Sequence, residues 1–400
     1  MGSRPIGNRN YPIMTAILCW AGMVVMTSLY VTIPLLPMFA ELYQKTLTES
    51  AATGSVFSLG FAIGCLLYGA ISDKYGRKQV IFTGMITLAL ITLLLGSVEQ
   101  FSWIIVLRGL QGAAAASFSP VALAYAVEMF PVDKRVTTIG FISTGFLVAG
   151  IIGQVFSSWV SQMYSWHHVF YLLAAVYGIT ALIVFRCLPK GEVQQAHTSI
   201  LQPLKQISDV IRQKNLLLSY LIALVLLMSF VSMYIVLGSY LSGPDFGMNA
   251  QEMIYVRAVG VFGMLISPLA GKLTRQFSVR SLLRFALALA IGGLAAMGLT
   301  TSLPLLLVIS VLFVVGIALA VPSLVALVGQ LGGKSRGIAV SVYTFILFAG
   351  TSLGPIISIR FMEMGSYTQT FFLLALILTL GLVAASLIRE DAPESKNAAQ

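Results

Sequence analysis

Charge is what this chain has least of. Asp, Glu, Lys and Arg make up 10% of its 400 residues, where an ordinary soluble domain carries about 25%. Together with 58% apolar residues and a mean hydropathy of +0.92, that shortfall excludes a soluble fold with a charged surface. Cysteine is nearly as scarce. Cys19, Cys65 and Cys187 have no paired or metal-binding spacing, which excludes a disulfide framework and a thiolate metal centre. All three fall inside or at the edge of apolar runs and are expected to be buried, inert thiols. A GxxxxGK[ST] phosphate loop is also missing, as is any polar segment able to hold a nucleotide-binding domain, so ATP-driven work is excluded. No HExxH or Ser-His-Asp pattern stands out, and neither an enzyme activity nor a cofactor or metal is expected. A receptor would bring an outer domain or a long tail, and neither is found here. The opening "MGSRPIGNRNYP" has no short apolar core with a small-residue cleavage site, so it does not read as a secretory signal. Its sixth residue is Ile, which breaks the myristoylation pattern.

What the chain does have is apolar sequence in long runs. A stretch of about 18 apolar residues is long enough to cross a bilayer as a helix. Twelve such runs occur, at 13–38, 50–71, 80–97, 103–129, 137–164, 168–188, 216–241, 250–269, 281–299, 303–328, 337–362 and 370–388. An all-α integral membrane protein with twelve transmembrane helices follows, with the lipid bilayer as its first partner. If the first helix starts in the cytoplasm, the inner segments hold every Lys and Arg of the 24 except four: Lys45 and Arg360 outside, Arg108 and Arg257 within spans. The positive-inside rule then puts both termini in the cytoplasm of a cell-membrane protein. The net charge of +10 is a product of that topology and does not mark a nucleic-acid surface. A monomer is expected.

The longest polar stretch, "LPKGEVQQAHTSILQPLKQISDVIRQKN", separates six runs from six. It divides the chain into an N-terminal half (1–188), a cytoplasmic linker (189–214), a C-terminal half (215–389) and a tail (390–400). Features recur between the halves at a fixed offset, the mark of an internal repeat. Gly69 matches Gly271, Tyr75 matches Phe277, Lys78 matches Arg280 and Pro120 matches Pro322, each 202 residues on, while Arg135 matches Arg336 at 201.

Two six-helix halves around a basic central loop resemble the major facilitator superfamily over the whole chain. That family's loop between helices 2 and 3 reads Gly-x-x-x-Asp-Arg/Lys-x-Gly-Arg-Arg/Lys, and Gly69, Asp73, Lys74, Gly76, Arg77 and Lys78 meet it in full. The residues have their own physical logic. Asp73 ends helix 2, where an acid can pair with a cation or sit at the positive N-terminus of another helix. The helix that follows "KSRG" is the partner the resemblance implies. Gly76 permits a tight turn, and Arg77 and Lys78 face the anionic inner surface of the membrane. Glu128, at the end of helix 4, lies at the height expected for Arg77 and could extend this latch. In the second copy the acid becomes Arg275 and the glycine Ser278, so only the first copy is expected to switch.

Within the spans, Arg108, Gln111 and Gly112 share one face of helix 4. They resemble the family's Arg-x-x-Gln-Gly motif, implicated in proton coupling among drug exporters. An arginine that snorkels to the outer interface is the alternative. Arg257 in helix 8 has Glu252 five residues before it as a loose partner, and is open to the same two readings. No Asp or Glu lies at the centre of a span; Glu41 belongs to the outer end of helix 1, and His167 and His168 to an outer loop. Helix 5 carries Gly140, Ala149 and Gly153 at the spacing of the family's antiporter pattern, but Gln154 stands where proline is expected. Gly350, Gly354 and Pro355 occupy helix 11. Small residues four apart let helices approach closely. Substrate in this fold binds near the midplane between the halves, which makes Met26, Tyr30, Tyr234 and Arg257 candidate lining residues. "IPLLP" in helix 1 also resembles multidrug exporters. The resemblance implies a secondary transporter of small molecules, and the branch it favours is proton-coupled efflux of small, partly hydrophobic, drug-like compounds. A symporter or facilitator for a sugar, amino acid or organic anion is the alternative.

Overall fold

The computed structural model describes residues 10–191, 207, 208 and 210–388. Most of the linker, the tail 390–400, and Arg4, Arg9, Lys205, Arg389 and Lys396 lie outside the described residues. Among the described residues, twelve helices are long and apolar enough to cross a membrane: α1 (Tyr11–Tyr30), α2 (Glu49–Tyr75), α3 (Arg77–Ser97), α4 (Phe101–Met129), α5 (Val132–Met163), α6 (Trp166–Cys187), α7 (Lys214–Ser242), α8 (Tyr255–Gln276), α9 (Val279–Met297), α10 (Leu303–Leu331), α11 (Arg336–Met364) and α12 (Tyr367–Leu387). No strand occurs among the described residues.

Proline decides where the apolar runs break. The run 13–38 is not one helix: α1 stops at Tyr30, residues 31–35 form a turn, and a short helix covers Leu36–Leu42. Pro34 and Pro37 lack the N–H that would continue the ladder, and their rings crowd the carbonyls one turn back. The run 103–129 is also divided. Phe101–Ala115 and Ser119–Met129 are joined by a turn, with Pro120 opening the second piece. Its repeat partner, Pro322, lies inside the unbroken helix of α10. The run expected at 250–269 continues to Gln276, through a 3₁₀ turn at Ser267–Leu269 that contains Pro268. His167 and His168 lie in the first turn of α6 and not in a loop; His168 Nδ1 is 2.8 Å from Ser165 Oγ. Cys65 is buried as expected, but Cys19 is only half-buried and Cys187 is exposed at the end of α6.

Three pairings recur in the two halves, although the second half packs α9 on α10 and α7 on α12 more heavily than the first packs their counterparts. In the first, α1 packs on α5, α2 on α4 and α3 on α6; in the second, α7 packs on α11, α8 on α10 and α9 on α12. Individual atoms follow the repeat. A Cβ on Gly153 of α5 would lie 3.1 Å from the Thr27 carbonyl of α1, and one on Gly354 of α11 would lie 3.1 Å from the Met228 carbonyl of α7. Both residues of the second contact stand 201 positions after those of the first. Such near-touching backbones are how helices gain contact where lipid offers no hydrophobic drive. Ala149 is fully buried beside Gly153, and its repeat partner Gly350 abuts the backbone of Leu224 and Met228 on α7. Pro355 sits inside α11 without ending it.

Between the halves, α2 and α4 meet α11, and α5 meets α8 and α10. The end where α2 hands over to α3 collects Lys74, Arg77, Lys134, Arg135, Arg275 and Arg336 and is called the basic end below.

Candidate functional site

Gly76 sets the geometry of the basic end. Its backbone holds φ 90°, ψ 138° between the last residue of α2 and the first of α3, a region L side chains rarely adopt. The turn folds Arg77 back under α2, where it is only 4% exposed. Arg77 Nη1 donates to the Gly69 carbonyl (3.2 Å) and to Ser72 Oγ, and Nη2 to Asp73 Oδ1. Nε and Nη2 grip both oxygens of Glu128 at 3.2 and 2.8 Å. A fork against a carboxylate is the strongest pairing available to a guanidinium. Glu128 Oε1 also lies 3.4 Å from Arg336 Nε at the start of α11, so the cluster joins the halves. Asp73 meets the same helix end. A Cβ on Gly337 would stand 2.7 and 3.0 Å from the two Asp73 carboxylate oxygens, so glycine lets the N-terminus of α11 approach the acid. One turn further, Gly69 of α2 leaves room for the Ser341 side chain. Lys78 takes no part in this cluster; its Nζ sits 5.5 Å over the Phe185 ring.

The second copy of the loop also touches the other half, through one exposed pair rather than a buried cluster. Arg275 Nη2 lies 3.5 Å from Asp133 Oδ2 of α5. The sign is reversed: the cation stands on the loop and the acid on the facing helix. Since Asp133 follows no loop motif, only the fold reveals it. Further along the same helices, toward the middle of the spans, Thr144 Oγ1 donates to the Met264 carbonyl (3.2 Å) and Gly140 lies against the Ser267–Pro268 backbone. The basic end is closed on both sides of the repeat axis.

Arg108 neither snorkels nor stands unpaired. It is 0% exposed, with Nε on the Thr53 carbonyl (3.0 Å) and Nη1 on the Ser28 carbonyl (2.9 Å) and Gln111 Oε1 (2.5 Å). Nη2 lies 3.4 Å from Thr32 Oγ1, and the guanidinium stacks 4.4 Å from the Phe57 ring centre. Gln111 Nε2 continues to Thr92 Oγ1 at 2.7 Å. Arg108 thus ties α1, α2 and α4 together, and Gln111 adds α3. Because α1 ends at Tyr30, the Ser28 carbonyl belongs to the last turn and lacks its helical partner; Arg108 supplies one. Gly112 lets the Phe57 backbone come close.

Toward the other end, a second arginine lies between the halves. Arg257 Nη1 donates to Gln154 Oε1 of α5 (3.2 Å), and its buried Nε has no hydrogen-bond partner. Glu252 does not pair with it; that carboxylate accepts from the Asn249 backbone at 2.8 Å, at the start of its own helix. Tyr234 of α7 reaches the turn of α8 that holds Gly260, three residues on from Arg257, and also has a buried hydroxyl without a partner. Gln154 Nε2 donates back to the Gly150 carbonyl (2.6 Å), and a Cβ on Gly150 would sit 3.5 Å from the Tyr30 ring. Tyr30, Tyr234 and Arg257 therefore gather with Gln154. Met26 does not join them: it is 1% exposed and packed near Ser119 within the N-terminal half. Gln154 went unrecognised as a partner in the sequence, where its only signal was the break in the helix-5 pattern.

A sequence model of the Major Facilitator Superfamily matches residues 18–330 and 259–400. The chain is 24% identical over 382 residues to the uncharacterized MFS-type transporter YybF of Bacillus subtilis, covering 94% of each chain. It is 24% identical over 253 residues to a bicyclomycin resistance protein homolog of Haemophilus influenzae, covering 62% of this chain and 61% of that one. An uncharacterized transporter of Buchnera aphidicola is 26% identical over 267 residues, a match that spans 66% of this chain and 65% of the relative's length. In fold the chain is similar to FucP in its outward conformation, with TM-score 0.76 and 14% identity over 96% of this chain and 99% of that one.

Proposed function

The chain belongs to the Major Facilitator Superfamily, and on that premise we propose that it exports small, partly hydrophobic compounds across the inner membrane in exchange for protons. The basic end faces the cytoplasm. The observation that carries the reading is the cluster of Asp73, Arg77, Glu128 and Arg336, whose ion pairs join the halves at one end. Contacts of this kind can break and re-form as the halves rock, giving alternating access to a site between them. Efflux as the direction draws support from relatives named for drug resistance, such as the bicyclomycin resistance protein homolog. Proton coupling has a candidate route. Every described Asp and Glu lies at or near a helix end, and of these Asp73 and Glu128 also hold the closed end together. Protonating either removes a counter-charge from Arg77 and Arg336 and weakens the closed state.

Everted vesicles containing the protein test this. An acid interior should drive uptake of compounds from a labelled panel of neutral and charged aromatics, and a protonophore should abolish it. Uptake that ignores the gradient would make the protein a facilitator, and no uptake above protein-free vesicles would sink the transport reading for that panel.

A further inference from the structure

We propose that Arg257, Tyr234 and Gln154 form a carboxylate-binding site, and that the cargo is an amphipathic organic acid with an aromatic or aliphatic body. The proposal rests on the transporter reading and names the chemistry of its site.

Of the two arginines inside the membrane, only Arg257 is free to hold a ligand. The donors of Arg108 are spent on its own half and none of its surface is exposed. Arg257 is partly exposed, and its Nε, though buried, has no partner. Its one protein acceptor, Gln154 Oε1, is neutral. Among the described residues no carboxylate forms an ion pair with it. Unlike Arg108, whose neutral acceptors satisfy it, Arg257 keeps a buried donor without an acceptor. An ionisable residue left so within a span points to a partner that comes and goes. Beside it, Tyr234 offers a second donor without an acceptor. Two orphan donors that converge, one cationic and forked, are complementary to a carboxylate.

The walls suit the rest of the molecule. Phe230 meets the Tyr234 ring edge-on at 5.2 Å, and the Tyr30 ring lies against the Gly150 turn of α5, whose carbonyl accepts the Gln154 amide. Aromatic faces give large contact area to a flat apolar body. A carboxylate is a stronger acceptor for Arg257 than the Gln154 amide. A bound acid therefore takes Nη1 from Gln154 and removes one tie between α5 and α8, which links occupancy of the site to the contact between halves.

Three probes of one shape separate charge from hydrophobicity: biphenyl-4-carboxylate, biphenyl-4-carboxamide and biphenyl-4-ylmethylammonium. Binding to the purified full chain in detergent is measured by calorimetry. The carboxylate should bind about tenfold tighter than the amide, the worth of one charge-assisted hydrogen bond, and the ammonium weakest. Arg257→Gln should bring carboxylate and amide to within about twofold. Arg257→Lys, which keeps the charge and guards against a misfolded Gln variant, should retain part of the preference. Gln154→Ala frees Nη1 and should tighten the carboxylate, whereas a purely structural Arg257–Gln154 tie would leave the probe unaffected. Equal binding of carboxylate and amide, a preference that survives Arg257→Gln, or binding of none of the three overturns the proposal. Counterflow of the neutral amide in proteoliposomes reads the transporter assignment separately, because it does not depend on the acid.

Discussion

Arg108 is a residue whose surroundings redefine its test. Its guanidinium holds carbonyls on α1 and α2 and the side chain of Gln111, and hydrogen bonds to a charged group contribute about 1.5–3 kcal/mol each. Arg108→Ala should therefore lower the thermal unfolding temperature in detergent by several degrees and reduce transport with it. Lysine has no planar fork to span three acceptors, so Arg108→Lys should lose most of the same stability. An alanine variant with unchanged melting but no gradient-driven uptake would instead assign Arg108 to coupling alone. At Gly76 the issue is the backbone. With φ at 90° and ψ at 138°, Gly76→Ala should cost roughly 1–3 kcal/mol, read as a lower melting temperature. An unshifted melt would mean that the turn relaxes.

At the scale of elements, the repeat gives two helix-end contacts of opposite sign. The α2 end brings an acid to α11, and the α8 end brings a cation to α5. Arg275 and Asp133 are both more than half exposed, and an exposed pair contributes only about 0–1 kcal/mol. Reversing one partner, as in Asp133→Arg, places like charges together and should loosen this side of the basic end; Asp133→Arg with Arg275→Asp should restore it. A cysteine placed at Thr137, which packs against Gly271, reports the change through its rate of maleimide labelling once the native cysteines are replaced. The single reversal should label faster, the double at the original rate, and high salt should shrink the difference. Equal rates in all three would leave the pair without a role.

For the whole molecule the question is which end is closed. Asp73→Asn keeps the shape of the side chain but removes its charge from Arg77 and from the N-terminus of α11. Gly337→Ala pushes a methyl group into the same carboxylate. Both should move the population toward opening at the basic end, on the order of tenfold for Asp73→Asn if one charge-assisted contact is lost. Spin labels across the basic end would report longer distances in both variants, with reduced transport. Unchanged distances in both would show that apolar contacts such as Val127 against Gly329 close this end without help from the charges.

Local sequence was enough for the spans, the repeat and the turn of the basic end. Helix crossing depends on the length of an apolar run, and both are properties of a contiguous stretch. Gly76 likewise acts through its own backbone, and Asp73, Gly76 and Arg77 sit close enough in the chain for their spacing to be read directly. Proline breaks were visible as residues but not as outcomes. Pro120 interrupts α4 while Pro322, at the equivalent position, lies in an unbroken α10, so the residue alone does not decide the outcome. The charged partners were decided by tertiary structure alone. Arg108 is 80 residues from the Ser28 carbonyl it satisfies, Arg257 is 103 from Gln154, and Glu128 reaches Arg77 over 51. Whether a membrane arginine snorkels, ties a half together or waits for a ligand depends on which acceptors the packing brings within about 3 Å, and no spacing along the chain encodes that distance.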